Sequence, residues 1–181
     1  MRLAVNDLVG RPGETRPVQD AVPADVFGNE PWGPVVDAVV GDIALDLHLD
    51  SVVEGILVRG TLGVALEVAC ARCLNPTVIE RTVDVAELFV DPTKRFYADD
   101  DSEEDVEDTF TLIDDNTAVD LSVMARDAVV LDLPLQVLCT DTCLGLCPEC
   151  GEDRNMSACG HAQAAAPDPR WEALRKLQLP D

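Results

Sequence analysis

The chain has 181 residues, 35 of them acidic and 13 basic, so its formal net charge is -22 at pH 7. A surface of that sign repels phosphate at long range, which argues against a broad nucleic-acid-binding face unless the few basic residues cluster, and favours basic protein partners. The length corresponds to one ordinary domain, whose core must be mostly aliphatic because only 4% of the residues are aromatic.

The N-terminal sequence carries no recognisable targeting segment, since the first twenty residues are interrupted by charges throughout. No stretch approaches the roughly 20 apolar residues that a transmembrane helix requires. We therefore expect a soluble, cytoplasmic protein with no membrane partner. In that reducing compartment the seven cysteines are expected to be thiols rather than disulfides.

Apolar and polar residues alternate in several short runs over the first 90 positions. These runs cover residues 2–5, 35–49 with breaks, 56–68 and 78–89. A period near two, with frequent Val and Ile and with Gly41 and Gly55 between runs, predicts an antiparallel β meander or a partly closed barrel. A last strand is expected within residues 111–119.

Residues 98–108 are dominated by Asp and Glu, and we interpret them as a solvated acidic loop. Alternatively, this acidic segment binds a basic ribosomal protein or mimics nucleic acid.

An amphipathic helix is predicted over residues 120–132. Asp120 lies at the expected N-cap, and Pro134 ends the pattern. The apolar stripe comprises Leu121, Met124, Ala125, Ala128 and Val129. We therefore expect an α+β fold, with a strand-rich core domain over residues 1–135 and a Cys-rich segment with a short tail helix, packed on the core, over residues 136–181.

Seven cysteines and one histidine are the candidate metal ligands of this chain. Cys70 and Cys73 form a CxxC motif in the strand-rich region. The remaining candidates are Cys139, Cys143, Cys147, Cys150, Cys159 and His161. Tetrahedral zinc takes four ligands of these types, so eight fit two complete sites and two zinc ions per chain.

The favoured partition follows from spacing along the chain. Site 1 comprises Cys147, Cys150, Cys159 and His161, which can wrap one ion locally around a zinc-knuckle turn. Site 2 comprises Cys70, Cys73, Cys139 and Cys143, and would pin the C-terminal segment to the sheet. A single metal site with the other cysteines reduced is the alternative, and iron could replace zinc.

Several of these segments together resemble the YceD family of bacterial and plastid proteins. They are residues 7–8, 11–14, 68–74, 133–135, 139–151 and 168–171. Relatives often end the cluster with Cys-x-Cys where this chain has Cys159-Gly160-His161, an exchange that preserves zinc ligation. The resemblance implies a role in synthesis, processing or stability of 23S ribosomal RNA.

Three functions compete at this point. The favoured one is a non-catalytic adaptor for a basic ribosomal protein or ribosome assembly factor. The second is direct RNA binding, with contacts from Arg170, Trp171, Arg175 and Lys176. Alternatively, these residues belong to a short tail helix that packs on the core, since apolar residues recur every three positions from Trp171. A thiol redox protein or metal-dependent enzyme is disfavoured, because four-ligand Cys-rich sites are usually closed and structural.

Overall fold

The computed structural model describes residues 1–28, 30–94, 110–113 and 115–161 of the chain. This part is mostly antiparallel β-structure with one helix, α1 (Ser122–Asp132). Its strands are β1 (Arg2–Ala4), β2 (Thr15–Pro23), β3 (Val36–Val39), β4 (Asp42–Ser51), β5 (Gly55–Ala69), β6 (Pro76–Val90) and β7 (Ala118–Asp120). Short 3₁₀ turns occupy Ala24–Phe27 and Pro92–Lys94. The prediction of antiparallel β-structure with one packed helix is confirmed.

The β5–β6 hairpin is the longest element of the fold. The two strands pair from Gly55 opposite Val90 to Ala69 opposite Pro76. Alternate apolar side chains of β5 are buried because the period-two pattern places them on one face. The loop that joins the strands, residues 70–75, contains both cysteines of the CxxC motif. The hairpin therefore carries this motif to the end of the sheet.

Two successive strands share one side of β5. Strand β4 pairs with residues 56–63 of β5, and β3 pairs with residues 66–68. Between them the chain is interrupted at Val40, whose N–H donates to the Ala65 carbonyl at 2.8 Å, and at Gly41, which has a φ of +75°. The predicted run over 35–49 is thus two strands, and the resulting sheet is a curled half-barrel.

Strand β2 is not predicted by the alternating pattern of the sequence. It pairs with β4 over its whole length, from Thr15 opposite Asp50 to Pro23 opposite Asp42. Pro17 and Pro23 weaken its strand pattern, because proline cannot donate a backbone hydrogen bond to a ladder. Such residues are tolerated here because β2 lies at one edge of the sheet.

Two boundaries after the acidic segment differ from prediction. The strand expected over 111–119 is reduced to isolated bridges at Thr111 and Ile113 and to β7, which pairs with β1. The predicted N-cap is wrong, since Leu121 holds that position and the helix begins at Ser122. Asp120 nevertheless supports the first turn, because its carboxylate accepts the Ser122 N–H at 3.0 Å.

Helix α1 packs its predicted apolar stripe against the sheet beside β6. Leu121, Met124, Ala125 and Val129 are buried, and Ala128 is half-buried. Arg81 of β6 forms an ion pair with Asp132 at 2.6 Å, which ties the end of the helix to the strand.

Some expectations fall outside the described residues. They concern the acidic loop 98–108, the tail helix and the contact residues Arg170, Trp171, Arg175 and Lys176. The division of the chain at residue 135 stays a prediction. A search of the described residues found no helix with both the length and the apolar character that crossing a membrane demands.

Candidate metal centres

Site 2 brings together cysteines from two distant parts of the chain. The sulfurs of Cys70, Cys73, Cys139 and Cys143 all lie within 4.8 Å of one another. The Cys70–Cys143 and Cys73–Cys139 sulfur pairs are 3.9 and 3.7 Å apart. Tetrahedral ligands at the usual Zn–S length of about 2.3 Å stand about 3.8 Å apart. These two spacings fit ligands of one tetrahedral metal ion and are too long for disulfide bonds.

Backbone contacts hold the two halves of site 2 against each other. The Ala71 N–H donates to the Val137 carbonyl at 2.8 Å, and the Leu146 N–H donates to the Arg72 carbonyl at 3.1 Å. The Arg72 guanidinium donates to the Cys143 carbonyl at 2.9 Å. Arg72 thus has a structural role between the two cysteines, in agreement with the preference for a cation beside a cluster of thiolates.

Site 1 is built from one local segment. The ligand atoms of Cys147, Cys150, Cys159 and His161 also lie within 4.8 Å of one another. Cys147 is buried, Cys159 is half-buried, and Cys150 and His161 are exposed. Site 2 has three buried cysteines and is the more enclosed of the two. The structure thus groups the eight side chains in the two sets that the spacing favours.

The two CxxC turns have the same backbone geometry. In each, the N–H four residues after the first cysteine donates to the carbonyl of that cysteine, at 2.9 Å after Cys70 and 2.8 Å after Cys147. The N–H of each first cysteine in turn donates to the carbonyl five residues on. The residue after the second cysteine is left-handed, with a φ of +62° at Leu74 and +74° at Gly151. Both turns therefore have the same knuckle form, with two thiols on one side of a tight turn.

The family model described as "Large ribosomal RNA subunit accumulation protein YceD" matches residues 58–178, a span that includes both sites. The chain belongs to the YceD family. The resemblance seen in the sequence is therefore confirmed.

Among curated proteins, an uncharacterized protein of Mycobacterium tuberculosis is 38% identical over 137 residues, which cover 76% of this chain and 62% of the relative. An uncharacterized protein of Mycobacterium bovis gives the same values. An uncharacterized protein of Mycobacterium leprae is 32% identical over 182 aligned positions, covering 98% of this chain and 77% of the relative. The chain thus spans less than two thirds of the first two relatives. No solved structure matches it.

In this member of the YceD family, a polar network that sequence reasoning did not assign supports site 2. The Asn155 side-chain amide donates to the Cys143 sulfur at 3.4 Å, and its carbonyl oxygen accepts the Leu144 N–H at 2.8 Å. Asp153 accepts from both the backbone and the side chain of Asn155. Its other oxygen accepts from the Asn75 side chain at 2.7 Å, which joins the first knuckle to the C-terminal segment.

One signal could have revealed this network. Asp153 accepts the N–H two residues later, the turn that an Asp-x-Asn sequence favours. That hydrogen bond from Asn155 lowers the pKa of the Asp153 carboxyl, so this group stays ionised to a lower pH than an ordinary aspartate. Both carboxylate oxygens of Asp153 accept hydrogen bonds from Asn75 or Asn155, so Asp153 supports the ligand segments and belongs to neither ligand set.

The first cysteine of each knuckle is the more acidic thiol. The backbone N–H groups of Arg72, Cys139 and Cys73 lower the pKa of Cys70 to about 6. In site 1, the N–H groups of Cys150 and Glu149 lower the pKa of Cys147 to about 7. Because the thiolate is the form that binds metal, these amides favour the ligand state of both residues.

The second cysteine of the first knuckle behaves in the opposite way. The Asn75 N–H favours its thiolate, but burial and three neighbouring sulfurs together raise the pKa of Cys73 to about 12. Four sulfurs so close cannot all be anionic without a compensating cation. Site 2 offers four thiolates, and site 1 offers three thiolates and an imidazole. Both donor sets therefore fit a thiophilic divalent metal ion.

Proposed function

We propose that this chain is a zinc-stabilised, non-catalytic factor for the accumulation of 23S ribosomal RNA and the production of the large ribosomal subunit. It acts in the cytoplasm as an adaptor for a basic ribosomal protein or assembly factor. The observation that carries the proposal is the pair of complete four-ligand sets, placed in the part of the chain that matches the YceD family.

Zinc in site 2 has a structural task. It joins Cys70 and Cys73 to cysteines that lie 73 and 66 residues further along the chain. Closure of such long loops by a metal removes much conformational entropy from the unfolded chain. Zinc there holds the C-terminal segment against the end of the β5–β6 hairpin and keeps the two parts in one orientation.

The ligand sets support a non-catalytic role for both ions. Catalytic zinc keeps an open coordination position for water or substrate, typically beside three protein ligands. Each set here supplies four ligand atoms, so neither leaves such a position. In this proposal each ion stabilises a surface and does not activate a water molecule.

The charge supports a protein partner over RNA. A formal net charge of -22 attracts basic proteins and opposes approach to phosphate. Ribosomal proteins must be rich in Lys and Arg to bind RNA phosphates. An acidic factor that binds such a protein affects rRNA accumulation without contacting the RNA.

The metal part of the proposal is tested by elemental analysis of the purified native chain, with thiol titration before and after chelation. Two zinc ions per chain and thiols that react only after chelation are expected. One ion per chain with two to four freely reactive thiols would contradict site 2.

The adaptor part is tested by measuring binding to purified basic proteins of the large subunit and, separately, to 23S rRNA. We expect affinity for at least one such protein and none for the RNA. RNA affinity that falls steeply with salt would instead identify a phosphate-contacting face and contradict the adaptor role.

A further inference from the structure

A groove of about 500 Å³ lies between β6 and α1, away from both metal sites. One wall is formed by residues 82–87 of β6, and the other by Asp127, Ala128, Leu131 and Asp132 of the helix. Buried Met124 and half-buried Phe110 add apolar surface. Leu131 is 85% exposed although it is a large apolar side chain in the last turn of the helix. The groove is thus a concave surface lined by both apolar and acidic side chains.

Strand β6 presents a backbone edge to this groove. It is paired with β5 along its whole length. On its second side, the backbone hydrogen bonds among the described residues involve only its last residue, Val90, which pairs with residues 110–112. Residues 82–87 therefore have a strand partner on one side only within the described ranges. An edge of this kind can accept one more extended segment.

The two long edge strands of the sheet, β2 and β6, differ in this respect. Strand β2, at the opposite edge, contains Pro17 and ends at Pro23, and proline breaks the row of donors that another strand would need. Strand β6 has proline only at its first position, Pro76. Of these two edges, the one in the groove therefore keeps a continuous row of backbone groups.

The charge of the groove selects the chemistry of its occupant. Asp84, Glu87 and Asp127 are exposed and have no ion-pair partner among the residues that the structure describes. Asp132 is the exception, since it is paired with Arg81. Asp84 and Glu87 are three positions apart in β6, so their side chains point to opposite faces of the strand. The carboxylates therefore favour an extended segment with Arg or Lys on both faces, and exposed Leu131 favours apolar residues between them.

We propose that this groove binds an extended segment of a protein partner, with Arg or Lys on both faces and apolar residues between them, as an additional strand on β6. The inference rests on the proposed adaptor function and names the surface that performs it. Backbone hydrogen bonds to residues 82–87 supply affinity, and the three carboxylates supply the preference for Arg and Lys. Leu131 and Ala128 cover the apolar side chains of the segment.

The test uses the full, metal-loaded chain and a synthetic peptide of about seven residues that repeats Arg-Arg-Val, so that both of its faces carry Arg; as a strand it spans about 23 Å. Hydrogen exchange is followed at each amide by NMR. We expect slower exchange within residues 82–87 when the peptide binds. The double variant Asp84→Asn, Glu87→Gln should bind roughly fivefold to tenfold more weakly, since two exposed ion pairs are lost.

A matched control removes two exposed carboxylates at the other edge of the sheet. Asp20 lies in β2 and Asp42 begins β4. The variant Asp20→Asn, Asp42→Asn changes the net charge by the same amount and should bind the peptide as the unmodified chain does. If both variants bind the peptide equally weakly, the peptide is attracted by the overall charge of the chain, and the groove proposal is wrong.

Two further results would also overturn it. One is exchange protection that maps outside residues 82–87. The other is a cross-link, in the free chain, from a photoreactive residue at position 86 to residues 162–181, since the occupant would then be the chain's own tail. If a basic ribosomal protein still binds the Asp84→Asn, Glu87→Gln variant with full affinity, the groove proposal fails while the adaptor function stands. If no basic protein binds the unmodified chain, the adaptor function fails as well.

Discussion

The side-chain amide of Asn155 donates a hydrogen bond to the sulfur of Cys143 across 3.4 Å. This contact connects a residue within the site 1 segment to a ligand of site 2. Hydrogen bonds to a metal thiolate fix its direction and moderate its charge, so the partner affects affinity without touching the ion. The two sites are therefore joined by hydrogen bonds as well as by the chain.

We expect Asn155→Ala to weaken zinc binding at site 2 by roughly 10- to 100-fold, the usual effect of losing such a partner. The measurement is competition with a chromophoric chelator, which resolves two affinities. The control is Asn6→Ala, at an exposed position in a turn far from both sites. Unchanged affinity at both sites in Asn155→Ala would show that the contact has no role in metal binding.

Removal of one ligand should abolish one site at a time. We expect Cys70→Ser and Cys147→Ser each to retain one zinc ion per chain, because the two four-ligand sets share no residue. Native mass spectrometry measures the stoichiometry, and each variant is the control for the other. Cys70→Ser should also raise hydrogen exchange at residues 137–146, since the long-range closure is lost. Loss of both ions in Cys147→Ser would refute independent sites.

The residue after the second cysteine of each knuckle is left-handed, so glycine is expected to stabilise the chain at both positions. Leu74 has a φ of +62° and is 64% exposed, so its side chain contributes little buried surface while its backbone is strained. We expect Leu74→Gly to raise the free energy of unfolding by about 1 kcal/mol, and Gly151→Ala to lower it by a similar amount. Urea denaturation of the metal-loaded chain measures both. A loss of stability in Leu74→Gly would show that its side chain outweighs the strain.

Asp120 links the first helical turn to the N-terminus and makes stability depend on pH. Burial opposes its charge, but hydrogen bonds from the Ser122 hydroxyl and N–H, together with the nearby N-terminal ammonium, lower its pKa below the ordinary 3.8. The folded carboxyl thus releases its proton more readily than the unfolded one. Its contribution is fully present above pH 3.8 and is lost as pH falls through the lower, folded value.

We therefore expect Asp120→Ala to lower the free energy of unfolding by about 1 kcal/mol at pH 7 and to have a shrinking effect below pH 3.8. Urea denaturation of the variant and the unmodified chain across this range provides the comparison. Asp42→Ala, at an exposed strand position, is the control and should have little effect at either pH. A difference that stays constant with pH would exclude the carboxylate charge as its cause.

The sequence by itself determined the features that depend on neighbouring residues. The CxxC spacing predicts both knuckles, because four consecutive residues suffice to place two thiols around one ion. The alternating runs predict β4, β5 and β6, and the stripe from Leu121 to Val129 predicts α1, because one face of each element must be buried. Family membership also followed from local motifs.

Only the tertiary structure decided the features that depend on distant residues. Strand β2 forms despite its prolines because β4 supplies a partner along its length. Asn75, Asp153 and Asn155 form a network only because the hairpin loop and the C-terminal segment meet. The open edge of β6 and the helix beside it likewise arise from the order of strands in the sheet. Strand pairing and side-chain contacts between distant positions depend on where the whole chain packs, which no local pattern specifies.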